Sequence, residues 1–213
     1  MIEVLYRDDD IVVLVKPSGI LSATDASGAS SLPELIKKDL GVSEVFPIHR
    51  LDREVSGLMV YTLSKKAAAD LSAQATDHTK FVKEYLAFVE GFPEDDSGVF
   101  EDLLFKDSGR NKTYVVKRER RGVKKAKLSY KVLERLDTGT LVRVKLYTGR
   151  THQIRVQFAS RKMPIVGDRK YGGRANERGI ELYSFRISFF HPITGEKLDY
   201  KYIPEGIKEF YYE

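Results

Sequence analysis

Short runs of strand-forming residues, each ended by turn residues, recur along this chain and constrain its fold more than any other feature. Val, Ile, Tyr and Phe are frequent in these runs, and Pro, Gly or Asp stand between them. The pattern predicts strands over residues 2–6, 11–16, 57–63, 83–90, 127–136, 140–147, 182–190 and 197–203. The tripeptide Asp-Thr-Gly at 137–139 joins two of these runs and indicates a β-hairpin.

Helix-start signals are fewer. Ser31, with a glutamate three residues later, predicts a helix that runs to about Leu40, and Ser64 precedes a second, alanine-rich helix. Thr151 is expected to cap a third helix. Many strands and few helices predict the α+β class with a mixed sheet. Because no linker divides the sequence, we expect one domain over residues 1–213.

Composition limits the chemistry. The chain has no cysteine, which excludes disulfides, thiolate metal sites and a cysteine nucleophile. Its 36 Lys and Arg against 31 Asp and Glu give a formal charge of +5, which favours a polyanionic partner. The start of the chain lacks a signal-peptide pattern, and no run approaches the roughly 20 apolar residues that span a membrane. We therefore expect a cytoplasmic protein with no membrane partner.

Charged side chains crowd between apolar neighbours in the segment HRLDRE. Asp52 lies there between Arg50 and Arg53, and nearby positive charge favours the ionised carboxylate. Such a carboxylate can be a nucleophile, a metal ligand together with His49, or one partner of a salt bridge. From the residues alone, the salt bridge is the more common outcome in proteins.

The segment TGRTHQIR places basic residues at the expected start of the third helix. Arg150 and Thr151 lie at that start, and His152 and Arg155 lie three residues apart on one face. Helix starts and arginine forks both bind phosphate or carboxylate. An anionic partner is one interpretation. A structural helix in which Arg155 pairs with a surface acid is equally consistent with the residues.

A strongly basic stretch follows the middle of the chain, with Glu119 as its only acid. Its nine basic residues are Arg110, Lys112, Lys117, Arg118, Arg120, Arg121, Lys124, Lys125 and Lys127. This density suits a nucleic-acid phosphate backbone, whose binding releases counterions. A solvated charged loop is the alternative.

Two further segments have structural explanations. Tyr85 lies in the strand-like run KEYLAFVEG, which is expected to alternate with Tyr85, Ala87 and Val89 on one face. Packing of its ring on the sheet is the ordinary reason for a tyrosine there. The segment GDRKYGG lacks the spacing of a phosphate-binding loop, so it predicts a structural turn, with a phosphate contact as the functional alternative. The spacing of His78, His152 and His191 does not support a zinc site.

Taken together and in order, four segments resemble the RluA family of RNA pseudouridine synthases. They are VVLVKPSGIL, HRLDREVSGLMV, KEYLAFVEG and TGRTHQIRVQFASRKMPIVGDRKYG, and ELYSFRISFFHP resembles the closing strand of the family. The resemblance spans nearly the whole chain. It implies a mixed, mostly antiparallel sheet with flanking helices and loops around a central catalytic cleft, without the N-terminal S4 domain that many members carry.

The resemblance also implies roles for individual residues. Asp52 is expected to be the nucleophile, and Arg155 the ion-pair partner that keeps it ionised. Tyr85 is expected to stack on the target uracil, and Arg50 to fill the space left by the flipped base. The base pocket is expected to include Leu182 and Ile154. The basic stretch, with Arg150 and His152, is expected to bind RNA.

The implied reaction isomerises uridine to pseudouridine in structured ribosomal or transfer RNA by a monomer that needs no cofactor and no metal. Val55, Met163 and Ile165 depart from the usual family residues without touching an assigned position. Two alternatives stay open from the sequence. One is a non-catalytic RNA-binding or ribosome-assembly protein, and the other is a metal-dependent nuclease that uses Asp52 and His49 as ligands.

Overall fold

A computed structural model describes residues 1–26 and 28–210 and divides the chain into two compact units. The first unit comprises Met1–Lys83 and Tyr183–Pro204, and the second comprises Glu84–Leu182 and the chain from Glu205 onward. The strands are β1 (Glu3–Arg7), β2 (Ile11–Lys16), β3 (Phe46–Pro47), β4 (Ser56–Thr62), β5 (Val82–Val89), β6 (Ser97–Asp107), β7 (Lys112–Val116), β8 (Val123–Leu136), β9 (Gly139–Leu146), β10 (Leu182–Phe190) and β11 (Lys197–Lys201). The helices are α1 (Leu32–Leu40), α2 (Lys65–Thr76) and α3 (Gln153–Ala159).

The sheet of the first unit is mixed. Strand β2 pairs antiparallel with β1 and β4, β4 pairs in parallel with β10, and β10 pairs antiparallel with β11. All six residues of β2 are buried, because the strand lies between two others and is covered on both faces. A core of nine buried residues joins the strands to α2; they are Ile11, Val13, Val15, Leu58, Val60, Leu71, Phe81, Ile187 and Phe189.

The first two helices begin where local sequence predicts. Ser31 precedes α1, and the Glu34 carboxylate accepts the Ser31 backbone N–H at 3.3 Å. Gly41 ends α1 in the left-handed conformation, and its N–H donates to the Lys37 carbonyl. Ser64 caps α2 by accepting the Ala67 N–H at 3.2 Å. Within residues 1–26 and 28–210, no helix has the length and apolarity needed to cross a membrane.

The sheet of the second unit is antiparallel, in the order β5-β9-β8-β6-β7. Helix α3 packs on it through Phe158, whose ring contacts Phe100 and Tyr130 at centroid distances of 5.1 and 5.9 Å. A smaller cluster of Leu104, Ala126 and Val156 lies beside the loop that follows α3. The α+β class and the mixed, mostly antiparallel sheet predicted from the sequence are confirmed.

Three details differ from the sequence predictions. Strands β6 and β7 were not predicted, because their apolar residues are interrupted by charges and because pairing of β6 with β8 and of β7 with β6 decides their conformation. Strand β5 does not alternate between a buried and an exposed face, since it is almost wholly buried. Thr151 does not cap α3; the cap position is His152, which has a φ of +53° and makes no side-chain cap hydrogen bond.

Gly57 is a position at which the backbone requires glycine. Its φ is +111°, and a Cβ there would lie less than 3.0 Å from backbone atoms of Ser184 on the paired strand β10. We expect Gly57→Ala to lower the free energy of unfolding by about 3 kcal/mol, measured by urea denaturation. Gly195→Ala is the matched control, since Gly195 also has a positive φ but open space around it, and about 1 kcal/mol is expected. Equal losses would contradict the close approach.

Candidate active site

The loop that carries Asp52 is tied by hydrogen bonds to residues 17–22. The Ser22 hydroxyl donates to the Leu51 carbonyl at 2.7 Å and accepts the Leu51 N–H at 3.0 Å. Gly19 and Arg53 exchange two bonds, since the Gly19 N–H donates to the Arg53 carbonyl and the Arg53 Nε–H donates to the Gly19 carbonyl. The half-buried Asp52 therefore lies in a loop whose backbone is fixed on both sides.

A buried lysine also links these two segments by hydrogen bonds. The Lys16 Nζ donates to the carbonyl oxygens of Pro17, Ile20 and Arg53 at 2.8, 2.8 and 3.0 Å, which uses all three ammonium donors. Burial lowers the pKa of Lys16 to about 8, while the carboxylates of Glu54 and Asp52 act in the opposite direction. A positive charge thus lies in the field of Asp52 within the first unit. Sequence reasoning missed it; the available signal was a lysine that ends an apolar strand directly before proline.

His49 orients the same loop and is neutral. Its Nε2 accepts the Val60 N–H at 3.2 Å, and its ring lies 5.5 Å from the Phe81 ring. Burial lowers the pKa of His49 to about 3, and the Lys83 ammonium adds to this effect. Because Nε2 accepts a backbone hydrogen bond, it is not available as a metal ligand in this arrangement. In the part of the chain that the structure describes, no group of three or more His, Asp or Glu is placed to hold a metal ion.

Arg155 lies in the second unit and has a partner that the sequence did not predict. Its Nε and Nη2 donate to the two carboxylate oxygens of Asp168 at 2.7 and 2.8 Å. Only 6% of the Arg155 side chain and 1% of the Asp168 side chain are exposed. The acid is therefore a buried residue of the GDRKYGG segment and not a surface acid. The predicted pairing of Arg155 with Asp52 stays a prediction.

Tyr171 lies beside this ion pair. The Arg155 guanidinium carbon is 5.3 Å from the centre of the Tyr171 ring, and the Lys112 ammonium is 5.1 Å from it. The Tyr171 hydroxyl accepts the Thr113 N–H at 2.8 Å and lies 2.9 Å from Nδ1 of His152. Burial raises the pKa of Tyr171, so the hydroxyl keeps its proton at neutral pH. The segment expected to be a structural turn thus supplies two residues that contact Arg155.

Hydrogen bonds of the Gln153 side chain hold the backbone directly before α3. Its Oε1 accepts the Arg150 N–H at 3.0 Å and the Thr148 hydroxyl at 2.7 Å, and its Nε2 donates to the Lys127 carbonyl. The Arg150 Nε–H donates to the Lys125 carbonyl. These bonds hold the bend in which His152 and not Thr151 is the cap residue, and they use the Arg150 N–H, a backbone donor at the expected helix start.

The remaining predicted site residues differ in exposure. Tyr85 is buried on β5 opposite Val144 of β9. Ile154 and Leu182, the expected base-pocket residues, are also buried. Arg50 is exposed next to Asp52 in the sequence.

The basic residues of the second unit lie on β7, on the start of β8 and on the loop between these strands, which together we call the basic segment (residues 112–127). Strand β6 lies between β7 and β8 and pairs with both. Lys117, Arg118, Arg120 and Arg121 are exposed in the loop. Arg120 lies over the Phe105 ring at 4.6 Å, and Lys125 is 3.5 Å from Glu119. The other predicted RNA contacts of the segment are Lys112, Lys124 and Lys125, and Arg110 precedes it in the sequence. The basic segment therefore presents many cations and few acids.

Comparisons with known proteins agree with this architecture. A family model described as RNA pseudouridylate synthase matches residues 10–160. An uncharacterized RNA pseudouridine synthase of Aquifex aeolicus is 34% identical over 99% of this chain and 72% of that protein. The dual-specificity RNA pseudouridine synthase RluA of Pasteurella multocida is 34% identical over 95% of this chain and 93% of that protein.

A solved structure supports the fold. Human RNA pseudouridylate synthase domain containing 4 superposes with a TM-score of 0.78 at 24% identity, over 96% of this chain and 89% of that one. The chain belongs to the RNA pseudouridylate synthase family. Within this family it resembles the RluA type, as the ordered motifs predict, and the predicted enzyme class, an isomerase, is confirmed.

The neutral state of His49 leads to a pH prediction. Unfolded His49 binds a proton below about pH 6.5, whereas the folded residue stays neutral down to a pKa of about 3. Since the unfolded state binds more protons in this window, stability falls as the pH drops from 6.5 towards 3. We expect His49 to lower the free energy of unfolding by about 2 kcal/mol at pH 5 relative to pH 8. Urea denaturation at both pH values should show a smaller pH dependence for His49→Gln, and an unchanged dependence would mean that folded His49 binds a proton.

Proposed function

We propose that this chain isomerises specific uridines to pseudouridine in structured ribosomal or transfer RNA, with Asp52 as the nucleophile on a flipped-out uridine. The observation that carries the proposal is the fixed loop of Asp52, held by six hydrogen bonds from Lys16, Ser22, Gly19, Arg53 and Ser18 in a chain of this family. A nucleophile must be held in one place to react repeatedly with the same atom. The relative from Pasteurella multocida is named for two specificities, which supports an RNA substrate class broader than one site.

The reaction explains why a carboxylate is needed. Isomerisation breaks the bond from ribose C1′ to uracil N1, turns the ring and forms a bond from C1′ to C5. The C5 proton leaves to solvent, and N1 gains a proton, so atoms and electrons balance without redox chemistry. A carboxylate that bonds covalently to the uracil or to the ribose divides this reaction into two steps. Extruding the nucleotide from its stack costs roughly a few kcal/mol, which RNA contacts must supply.

The other proposed roles are those that the resemblance to the RluA type implies. Arg155 pairs with Asp52 and keeps it ionised, Tyr85 stacks on the uracil, and Arg50 enters the space that the base leaves. Leu182 and Ile154 supply apolar contacts to the ring. The enzyme acts as a monomer in the cytoplasm and needs neither cofactor nor metal. The basic segment, with Arg110, Arg150 and His152, binds the RNA backbone.

Asp52→Asn tests the nucleophile. The amide has nearly the same shape but cannot act as the nucleophilic carboxylate, so we expect pseudouridine formation to fall at least about 1000-fold while folding and RNA affinity stay nearly unchanged. Release of tritium from C5-labelled uridine in RNA measures the reaction, and filter binding measures affinity. Glu54→Gln is the matched control, because it removes a carboxylate of the same loop, and normal turnover is expected.

Other outcomes separate the alternatives. Substantial turnover by Asp52→Asn would remove Asp52 from the mechanism. RNA binding without product by both the wild type and the variant would favour a non-catalytic RNA-binding protein. RNA cleavage that EDTA abolishes would favour the nuclease. Pseudouridine mapping of total RNA from cells with and without the gene identifies the target uridine.

A salt titration tests whether the basic segment binds RNA. The logarithm of RNA affinity should fall steeply with the logarithm of salt concentration, because neutralised phosphates release counterions. Changing Lys117, Arg118, Arg120 and Arg121 together to Gln should make this slope shallower by roughly two or three units, because each phosphate that is no longer neutralised accounts for slightly less than about one unit. The control changes the exposed Lys37, Lys38, Lys65 and Lys66 of α1 and α2 to Gln. An equal slope for the two variants would place the RNA elsewhere.

A further inference from the structure

We propose that Asp168 and Tyr171 are positioning residues that hold the Arg155 guanidinium in the single orientation that isomerisation requires. We call these two residues the arginine bracket. This inference rests on the proposed function, because it assigns Asp168 and Tyr171 a role through Arg155. It also assigns a function to the GDRKYGG segment, for which the sequence predicted a structural turn.

The geometry of the ion pair fixes the plane of the guanidinium. Nε and Nη2 of Arg155 donate to Oδ2 and Oδ1 of Asp168, so two nearly parallel bonds define both the direction and the rotation of the group. A single bond would leave rotation free. Both side chains are almost wholly buried, so solvent cannot replace either bond. A buried pair of this kind is weak evidence for stability, and specifying one geometry is the role that such pairs can serve.

Tyr171 restrains the arginine from a second direction. Its ring lies 5.3 Å from the guanidinium carbon, while its hydroxyl accepts the Thr113 N–H of strand β7. The same ring faces the Lys112 ammonium at 5.1 Å. Tyr171 therefore connects β7, the first strand of the basic segment, with the side chain of Arg155.

The backbone of the bracket is itself fixed. Gly167 has a φ of +82°, and a Cβ there would lie under 3.0 Å from the backbone of Gly179. The Asp168 carbonyl accepts the N–H groups of Tyr171 and Gly173 at 3.1 and 2.9 Å. A short 3-10 helix, Arg169–Tyr171, spaces the two bracket residues. Because the main chain has little freedom here, the Asp168 carboxylate meets Arg155 in a set direction.

Asp168→Asn tests the bracket at nearly constant volume. We expect the single-turnover rate at saturating RNA to fall about 10- to 100-fold, because a misplacement on the order of 1 Å is enough for such a loss. The Kd for RNA should change less than about twofold, and Asp168→Glu should recover part of the rate. Asp102→Asn is the matched control. It breaks an ion pair of the same unit, Arg161 with Asp102, that does not involve Arg155, and it should leave the rate unchanged.

A double-mutant cycle distinguishes positioning from a purely structural role. If Asp168 acts through Arg155, adding Asp168→Asn to Arg155→Gln causes no further loss of rate, whereas independent roles give losses that multiply. Multiplying losses, or a lowered melting temperature with a normal rate in the folded variant, would overturn the proposal. An inactive wild type would contradict the proposed function instead.

Two measurements keep the test independent of folding defects. Tyr171→Phe keeps the ring and removes the hydroxyl, so we expect a smaller loss of rate than for Tyr171→Leu, which also removes the ring face. Equal rates for both variants would exclude Tyr171 from the bracket. The Arg155 Nε–H resonance in ¹⁵N NMR should be protected from solvent exchange in the wild type and exchange faster in Asp168→Asn. Unchanged protection would show that Asp168 does not hold the arginine.

Discussion

The three hydrogen bonds of the buried Lys16 ammonium are the interaction on which the position of Asp52 most depends. They join the carbonyl groups of Pro17 and Ile20 to that of Arg53, so one cation links residues 17–20 to the loop that carries Asp52. Hydrogen bonds to a charged group contribute about 1.5 to 3 kcal/mol each, which offsets the cost of burying the ammonium. The neighbouring bonds of Ser22 and Gly19 then set the register of the loop. The half-buried Asp52 thereby lies in a loop of fixed backbone.

Each of the two units contains a buried cation that hydrogen bonds hold in place. In the first unit a buried cation binds backbone carbonyls next to Asp52, and in the second a buried cation binds the carboxylate of Asp168. Both arrangements are expensive in desolvation, and apolar residues would stabilise a fold of this size as well. Their presence in this chain therefore favours an explanation by fixed geometry and not by stability. The exposed cations of the basic segment are different, because the phosphate binding proposed for them depends on number and density and not on one fixed orientation.

The sequence predicted features that depend on local interactions. Ser64 begins a helix because its hydroxyl accepts the Ala67 N–H, and Ser31 precedes one because its backbone N–H donates to the Glu34 carboxylate, so residues only three positions away decide both starts. Strands β6 and β7 were missed because charged residues break their apolar pattern, and because β6 is completed by pairing with β8 and β7 by pairing with β6. The prediction that Thr151 caps α3 was wrong, because the Gln153 side chain accepts the Arg150 N–H and His152 occupies the cap position.

The residues of the candidate site also differ in whether the sequence predicted them. Asp52 stood out by charge density and ordered motifs, yet Lys16, Asp168 and Tyr171 did not, since each has an ordinary structural explanation in its own segment. Asp168 is 13 residues from Arg155, and only the fold brings the two side chains together. A buried partner that is distant in the local sequence pattern, such as Asp168 for Arg155, is therefore the feature that sequence patterns describe least well. The pattern reports which side chains can react, whereas the packing of the chain decides which of them are held still enough to do so.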